Sequence, residues 1–187
     1  MKSIQIIPLT HFDPARFRQV ASGYTTDSLF RVHYEEGAAQ TIFRLALETL
    51  PEPSLFQFPY SDEELDRYEE MVPGPYCLGA YDSDLLVGVV LAEPQSWNNT
   101  LWVWEFHVAE PYRGQGIGRR LMDQLARLAA EAGLRALICE TQNTNVPAIR
   151  FYRAVGFRIE GVDISYYTNE DMAPGRTVAV FMKRRLT

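Results

Sequence analysis

Cysteine is nearly missing from this 187-residue chain, and the two that occur form no pattern. Cys77 and Cys139 stand far apart and outside any CxxC pair, so neither a zinc knuckle nor a disulfide framework is signalled. They read as free thiols in a reducing compartment. Histidine is also sparse: His11, His33 and His107 fall at no metal-ligand spacing, and no metal is expected. No apolar run approaches the ~18 residues of a membrane span, and the N-terminus lacks the charged-then-apolar order of a signal segment. A cytoplasmic protein without a membrane partner is the expectation. Positive charge is in deficit, 18 Lys and Arg against 24 Asp and Glu, for a net charge of −6. That balance argues against nucleic acid and suits a cationic partner, although surface charge also serves solubility alone. Repeats, low-complexity tracts and linkers are lacking too. What remains is an ordinary globular composition, 47% hydrophobic and 22% charged, long enough for one good core. A single domain over residues 1–187 is expected.

Local patterns set out the elements. "SIQIIPL" is a strand, and Asp13-Pro14 starts a helix with a cap and a first-turn proline. "LFRVHYE" and "TIFRLALE" alternate around "EGAAQ" as a hairpin. Ser61 before "DEELDRYEEM", with Glu64 at the capping-box position, opens a short acidic helix. "YCLGAYD" and "LLVGVVLAE" form a second hairpin, followed by the strand "TLWVWEFHV". A long helix ends at Gly133, and the strand "RALICETQ" leads to a helix capped by Asn145, carrying Pro147 in its first turn and ended by Gly156. "FRIEGVDISYYT" and "TVAVFMKRRL" complete the strands. This order predicts an α/β (α+β) fold, a mixed central sheet of about seven strands with helices on both faces.

The long helix begins badly. "EPYRGQGIGRR" places Gly114, Gly116 and Gly118 beside Arg113, Arg119 and Arg120, where the helix dipole already leaves partial positive charge. Each glycine gives up on the order of 1 kcal/mol of helix propensity relative to alanine. A bound anion would compensate, with bare backbone N–H groups around it and arginines neutralising it. The plain alternative is a tight turn with solvated arginines. Two phosphate loops are excluded. No Lys-Ser or Lys-Thr follows the glycines, and Arg119 stands where the dinucleotide pattern needs its third glycine. Beyond the turn, Ile117, Leu121, Leu125, Leu128 and Ala132 make an apolar stripe that packing can hold.

These residues resemble a family. Arg113, Gly116 and Gly118 match the [Arg/Gln]-x-x-Gly-x-[Gly/Ala] loop of the GCN5-related N-acetyltransferases (GNAT). "NTNVPAIRFYRAVGF" resembles a second block of that family, through Asn145, Ala148, Tyr152, Gly156 and Phe157. Within the family, "ICETQNTNVPAIRFYRAVGFRIEGVDISYY" is most similar to streptothricin acetyltransferases, which acetylate an amine on the β-lysine arm of a cationic antibiotic. The resemblance covers residues from about 85 to the C-terminus, so that 85–187 reads as an acetyl-CoA-binding core and 1–84 as the acceptor side.

The resemblance implies the rest of the site. Acetyl-CoA is the implied cofactor, its diphosphate on Arg113, Gly114, Gln115, Gly116, Ile117, Gly118 and Arg119. Backbone of Phe106, His107 and Val108 would pair with the pantetheine arm, with a main-chain N–H near Val108 as oxyanion donor. The thioester would enter where the strands of Glu105 and Cys139 splay apart. Asn145 and Ala148 would also meet the cofactor, although a cap alone explains Asn145.

Glu105 is the candidate general base. Strict alternation in "LWVWEFHV" puts it on one face with Leu101, Val103 and His107, opposite Trp102, Trp104, Phe106 and Val108. A carboxylate on an apolar strand is costly unless it is paired or functional, and burial would raise its pKa. A salt-bridged structural acid is the alternative. Tyr152 matches the family tyrosine that protonates the leaving thiolate; without that match it would read as core. His107 is a second candidate base or a structural histidine. Glu140, Asp163, Tyr166 and Tyr167 could line a pocket for an ammonium through charge and cation–π attraction, or merely face solvent and pack on the sheet.

The implied activity is transfer of acetyl from acetyl-CoA to a primary amine by direct attack, on a cationic small molecule. Two other readings stay open: a protein N-terminus or lysine as acceptor, and a non-catalytic acyl-CoA-binding module. A monomer or homodimer is expected.

Overall fold

The computed structural model describes residues 4–186. Among them, strands β1 (Ile4–Pro8), β2 (Tyr24–Glu36), β3 (Thr41–Phe56), β4 (Leu78–Asp82), β5 (Leu85–Gln95), β6 (Thr100–Val108), β7 (Ala136–Gln142), β8 (Arg158–Asp163) and β9 (Ala179–Arg185) alternate with helices α1 (Pro14–Val20), α2 (Asp62–Met71), α3 (Ile117–Glu131) and α4 (Val146–Ala154). The sheet order is β1-β4-β5-β6-β7-β9-β8, with β2 and β3 as a separate pair. The sheet is mixed, because β6 and β7 run parallel while β4–β5, β5–β6 and β8–β9 are antiparallel. Of the expected first strand, Ser3 lies outside the described residues.

The chain divides into two compact units, each discontinuous in sequence. The first holds the described residues up to Gly23, Gln57–Cys139 and the chain from Arg184. The second holds Tyr24–Phe56 and Glu140–Lys183.

In the first unit the helix ends follow the local signals. The Asp13 side chain accepts from the N–H groups of Ala15 and Arg16, and Ser61 with Glu64 completes a capping box on α2. The two helices cover one sheet face, where Phe12, Phe17, Leu65, Tyr68, Val89 and Leu91 form a buried cluster. The opposite face meets α3, and a Cβ on Gly88 would lie 3.0 Å from Leu121 Cδ1. The buried stripe of α3 is Ile117, Leu121, Met122, Leu125, Ala126 and Ala129. Ala132 is exposed instead, because α3 ends at Glu131 and Ala132 is the C-cap residue beyond its last packed turn.

The strict alternation expected for β6 is wrong. Leu91 pairs with Glu105 but Ala92 pairs with Val103, so Trp104 is an extra residue in the strand, a β-bulge. The bulge reverses the parity of everything before it. Leu101, Val103, Phe106 and Val108 share the face of Gly88, Val90 and Ala92. Glu105 and His107 lie with Leu91 and Val89, on the face covered by α1 and α2. Trp102 is on that face as well, and its ring lies 5.5 Å from that of Trp104.

The second unit centres on a long hairpin in which Tyr24, Thr26, Ser28, Phe30 and Val32 alternate as the buried face of β2. Buried Asn143 knits it together. Its side chain donates to Phe30 O (2.9 Å) and accepts from Val178 N (2.8 Å), and its own N–H donates to Val178 O (2.9 Å). Asn145 caps α4 by accepting from Ala148 N, with Pro147 in the first turn as expected. The strand expected over "FRIEGVDISYYT" is shorter. It stops at Asp163, whose side chain accepts from Ser165 N at 3.0 Å and turns the chain.

The close seat of α3 is testable. Gly88→Ala puts a methyl within 3.3 Å of both Ala80 Cβ and His107 O besides Leu121. Urea denaturation should show a loss of about 1–3 kcal/mol by overpacking; unchanged stability would mean that the helix does not sit so near.

Candidate active site

The bulge delivers Glu105 to a cluster of polar side chains under α1 and α2. The carboxylate is only 12% exposed and the His107 side chain 11%. His107 Nε2 lies 2.6 Å from Glu105 Oε2. The Tyr60 hydroxyl donates to the same oxygen at 3.0 Å and is 3.0 Å from His107 Nε2. The Tyr68 hydroxyl, from α2, donates to Glu105 Oε1. Burial, and then the charge of Glu105, push both phenols well above the ordinary tyrosine range, so they remain donors. The imidazole is boxed by Phe17 and Phe58 at ring distances of 5.8 and 5.3 Å. Beside this cluster the Arg67 guanidinium rests 3.6 Å above the Trp104 ring.

From His107 the chain runs directly into the glycine turn. Val108 O accepts from Arg113 Nε at 2.9 Å, and the other arm of that guanidinium donates to Gly23 O at 2.9 Å. The arginine therefore staples the turn to the end of β6 and to the segment after α1. Gln115 closes the turn by donating to Pro111 O. Gly114 and Gly116 adopt left-handed φ of 73° and 80°, with open space where a Cβ would stand. Backbone conformation, not crowding, demands glycine there. α3 then begins at Ile117 with no side-chain cap and no acid in its first turn. The first intrahelical bond is Arg120 N to Gly116 O, and the N–H groups of Ile117, Gly118 and Arg119 belong to the turn at the helix mouth. Arg120 itself turns away to donate to Ile4 O. A long helix with an uncapped, glycine-built start beside arginine fits a diphosphate.

The β6–β7 ladder covers Leu101↔Leu137, Trp102↔Ile138 and Val103↔Cys139, while β6 runs on to Val108. Backbone of Phe106, His107 and Val108 thus lies beyond that ladder. The Ala109 N–H is engaged with Val87 O.

In the second unit Tyr152 is buried on α4, its ring 5.2 Å from Phe157 and 5.6 Å from Phe151. Asn145 and Ala148 form the cap of the same helix. Tyr167 donates to Glu140, and burial followed by that carboxylate raises the phenol's pKa. Tyr166 is exposed and meets Tyr167 and Phe181 edge-on. Asp163 serves its own turn. Among the described residues no group of His, Cys, Asp and Glu could hold a metal ion.

Sequence reasoning missed Tyr60, Tyr68, Phe17 and Phe58. A partial signal existed. Tyr60 precedes the Ser61 cap and Leu65 follows at the staple position, which fixes Tyr60 against the helix start.

Known proteins resemble this chain in sequence and in fold. The model of the acetyltransferase (GNAT) family matches residues 40–157. A streptothricin acetyltransferase of Streptomyces lavendulae is 41% identical over 86 residues, 46% of this chain and 45% of that protein, so this match spans less than half of either. Streptothricin acetyltransferase A of Bacillus subtilis is 24% identical over 94% of this chain and 96% of its own. A crystal structure of nourseothricin acetyltransferase superposes with a TM-score of 0.75 at 28% identity, covering 98% of this chain and 99% of that one. No described helix is long and apolar enough to cross a membrane. The chain belongs to the acetyltransferase (GNAT) family, enzymes whose acetyl donor is acetyl-CoA.

Proposed function

We propose that this enzyme acetylates a primary amine on a cationic small molecule of the streptothricin type, as one N-acetyltransferase domain. The carrying observation is the Glu105–His107 pair, held by two phenols on the strand that leads straight into the uncapped glycine turn. A diphosphate binder has no need of a nearly buried carboxylate–imidazole pair; an amine that arrives as an ammonium does. The similarity to streptothricin and nourseothricin acetyltransferases supports the acceptor class, and so does the net charge of −6.

Acetyl-CoA supplies an activated thioester when bound. Arg113, the backbone of Gly114, Gln115 and Gly116, and the first-turn N–H groups of Ile117, Gly118 and Arg119 would hold its diphosphate. Backbone of Phe106, His107 and Val108 would take the pantetheine arm, and Asn145 and Ala148 are assigned to it by motif. The Glu105–His107 pair removes the proton from the acceptor's ammonium so that its nitrogen can attack directly. Tyr152 Oη carries the proton needed by the departing sulfur, a role that rests on its place in the family block. Glu140 and Tyr167 offer a carboxylate and an aromatic face to the acceptor's cations, with Tyr166 and Asp163 beside them in sequence. The cytoplasm, where acetyl-CoA is made and used, is the proposed location, and a small-molecule acceptor the proposed partner of the monomer or homodimer.

Free-thiol release should be measured against streptothricin, an aminoglycoside, a polyamine and an N-terminal peptide. Streptothricin should be the preferred acceptor by kcat/KM; preference for the peptide, or no release with any cationic small molecule, would overturn the assignment. Glu105→Gln and Tyr152→Phe should each lower kcat by about 10²–10⁴-fold on that acceptor. Unchanged turnover in either variant would remove that residue from the mechanism.

A further inference from the structure

A proton lies between Glu105 and His107, and its position decides what the imidazole can do. An ionised carboxylate oxygen and a bare Nε2 are both acceptors, and two acceptors repel at the observed 2.6 Å. The Tyr60 hydroxyl is 3.0 Å from each of them but has a single hydrogen, so it cannot fill both gaps. With Glu105 ionised, Nε2 is the donor and Glu105 Oε2 the acceptor. A neutral ring protonated at Nε2 keeps its lone pair on Nδ1, which none of the described hydrogen bonds uses.

Occupancy points the same way. A carboxylate has roughly four lone-pair sites. Tyr68 takes one on Oε1, and Tyr60 and His107 take two on Oε2. The carboxylate is walled in by donors that α2 and the segment before it supply, whereas the imidazole has its one acceptor unspent. Phe17, Phe58 and Tyr60 pack around the ring, and the bond from Nε2 to Glu105 sets the tautomer and the direction of Nδ1 together. The other titratable groups acting on the cluster are Glu64, through both phenols, and Arg67, through that of Tyr68.

We propose that His107 Nδ1 is the atom that takes the proton from the acceptor, and that Glu105, Tyr60 and Tyr68 are positioning residues for it. The inference rests on the acetyl-transfer reading and divides the labour within that pair. An N–H bond of the ammonium breaks and its electron pair stays on the acceptor nitrogen. The proton bonds to Nδ1, and the resulting imidazolium faces the Glu105 carboxylate, which offsets its charge. The proton then leaves to water, and the ring returns to its starting tautomer.

Two measurements decide it. Long-range 1H–15N NMR on protein labelled at histidine nitrogen, with the His107 signals identified by their loss in His107→Gln, reads the tautomer directly. An Nε2–H ring is expected at pH 7–8, the conditions of the acetyl-transfer assay. An Nδ1–H ring, or one protonated on both nitrogens throughout that range, would overturn the proposal. This needs no acceptor, so a wrong acceptor assignment cannot imitate its failure. The second is kinetic, with streptothricin. His107→Gln keeps an N–H toward Glu105 but has no Nδ1 lone pair, so kcat/KM should fall about 10²–10⁴-fold with the KM for acetyl-CoA unchanged. Its acid limb should vanish from the pH profile, while Glu105→Gln retains that limb at lower amplitude. Wild-type kcat/KM in His107→Gln would overturn the proposal, and if that variant fails to fold, the tautomer of the wild-type ring still decides.

Discussion

One extra residue in β6 governs how this enzyme's first unit works. Without the bulge at Trp104, Glu105 would share a face with Leu101 and Val103 and point toward α3, into an apolar layer with nothing to receive it. With it, Trp104 and Glu105 are displaced together toward α1 and α2, where Tyr60, Tyr68 and His107 supply the donors a buried carboxylate requires. A carboxylate left unpaired at that depth would cost several kcal/mol. Three donors, two of them phenols held neutral by their surroundings, make the position tenable and fix the geometry as well.

The same strand hands the chain to the glycine turn before α3. Val108, at its end, is bonded by the arginine that also grips Gly23, so the turn cannot drift from β6 or from the end of α1. The poor helix start is tolerated because the stability of α3 comes from elsewhere, from the apolar side that seats Leu121 on Gly88. The Glu105 cluster and the glycine turn are thus two ends of one short covalent path, the cluster pinned by bonds between side chains and the turn by side-chain-to-backbone bonds, neither by surface ion pairs. Arg31–Glu48 and Arg127–Glu131, exposed pairs on β2–β3 and α3, add little by comparison.

Whatever depends on local backbone chemistry could be read from the residues. Asp13, Ser61 with Glu64, and Asn145 cap the helices they were expected to cap, and the glycines at 114 and 116 are left-handed in the turn before α3. Glu105 and His107 were legible as candidates by residue type. Their surroundings were not. A bulge is invisible to a two-residue period, because the extra residue is defined only against the partner strand. Tyr68 sits in the α2 stripe with Leu65, and nothing in that spacing tells a phenol that packs from one that donates to a distant carboxylate. Asn143 is similar: its four bonds run to residues 30 and 178, far away along the chain. The Tyr166–Tyr167 segment looked like strand by composition, but Asp171 draws the N–H groups of Tyr167 and Thr168 into a turn.

The central claim is that α2 holds the β6 carboxylate through Tyr68. A double-mutant cycle on urea-unfolding free energies, with Tyr68→Phe, Glu105→Gln and the pair, tests it without any substrate. A hydrogen bond from a largely buried phenol to an ionised carboxylate should give a coupling energy of about 1.5–3 kcal/mol. A coupling near zero, with the two single losses simply adding, would contradict the account.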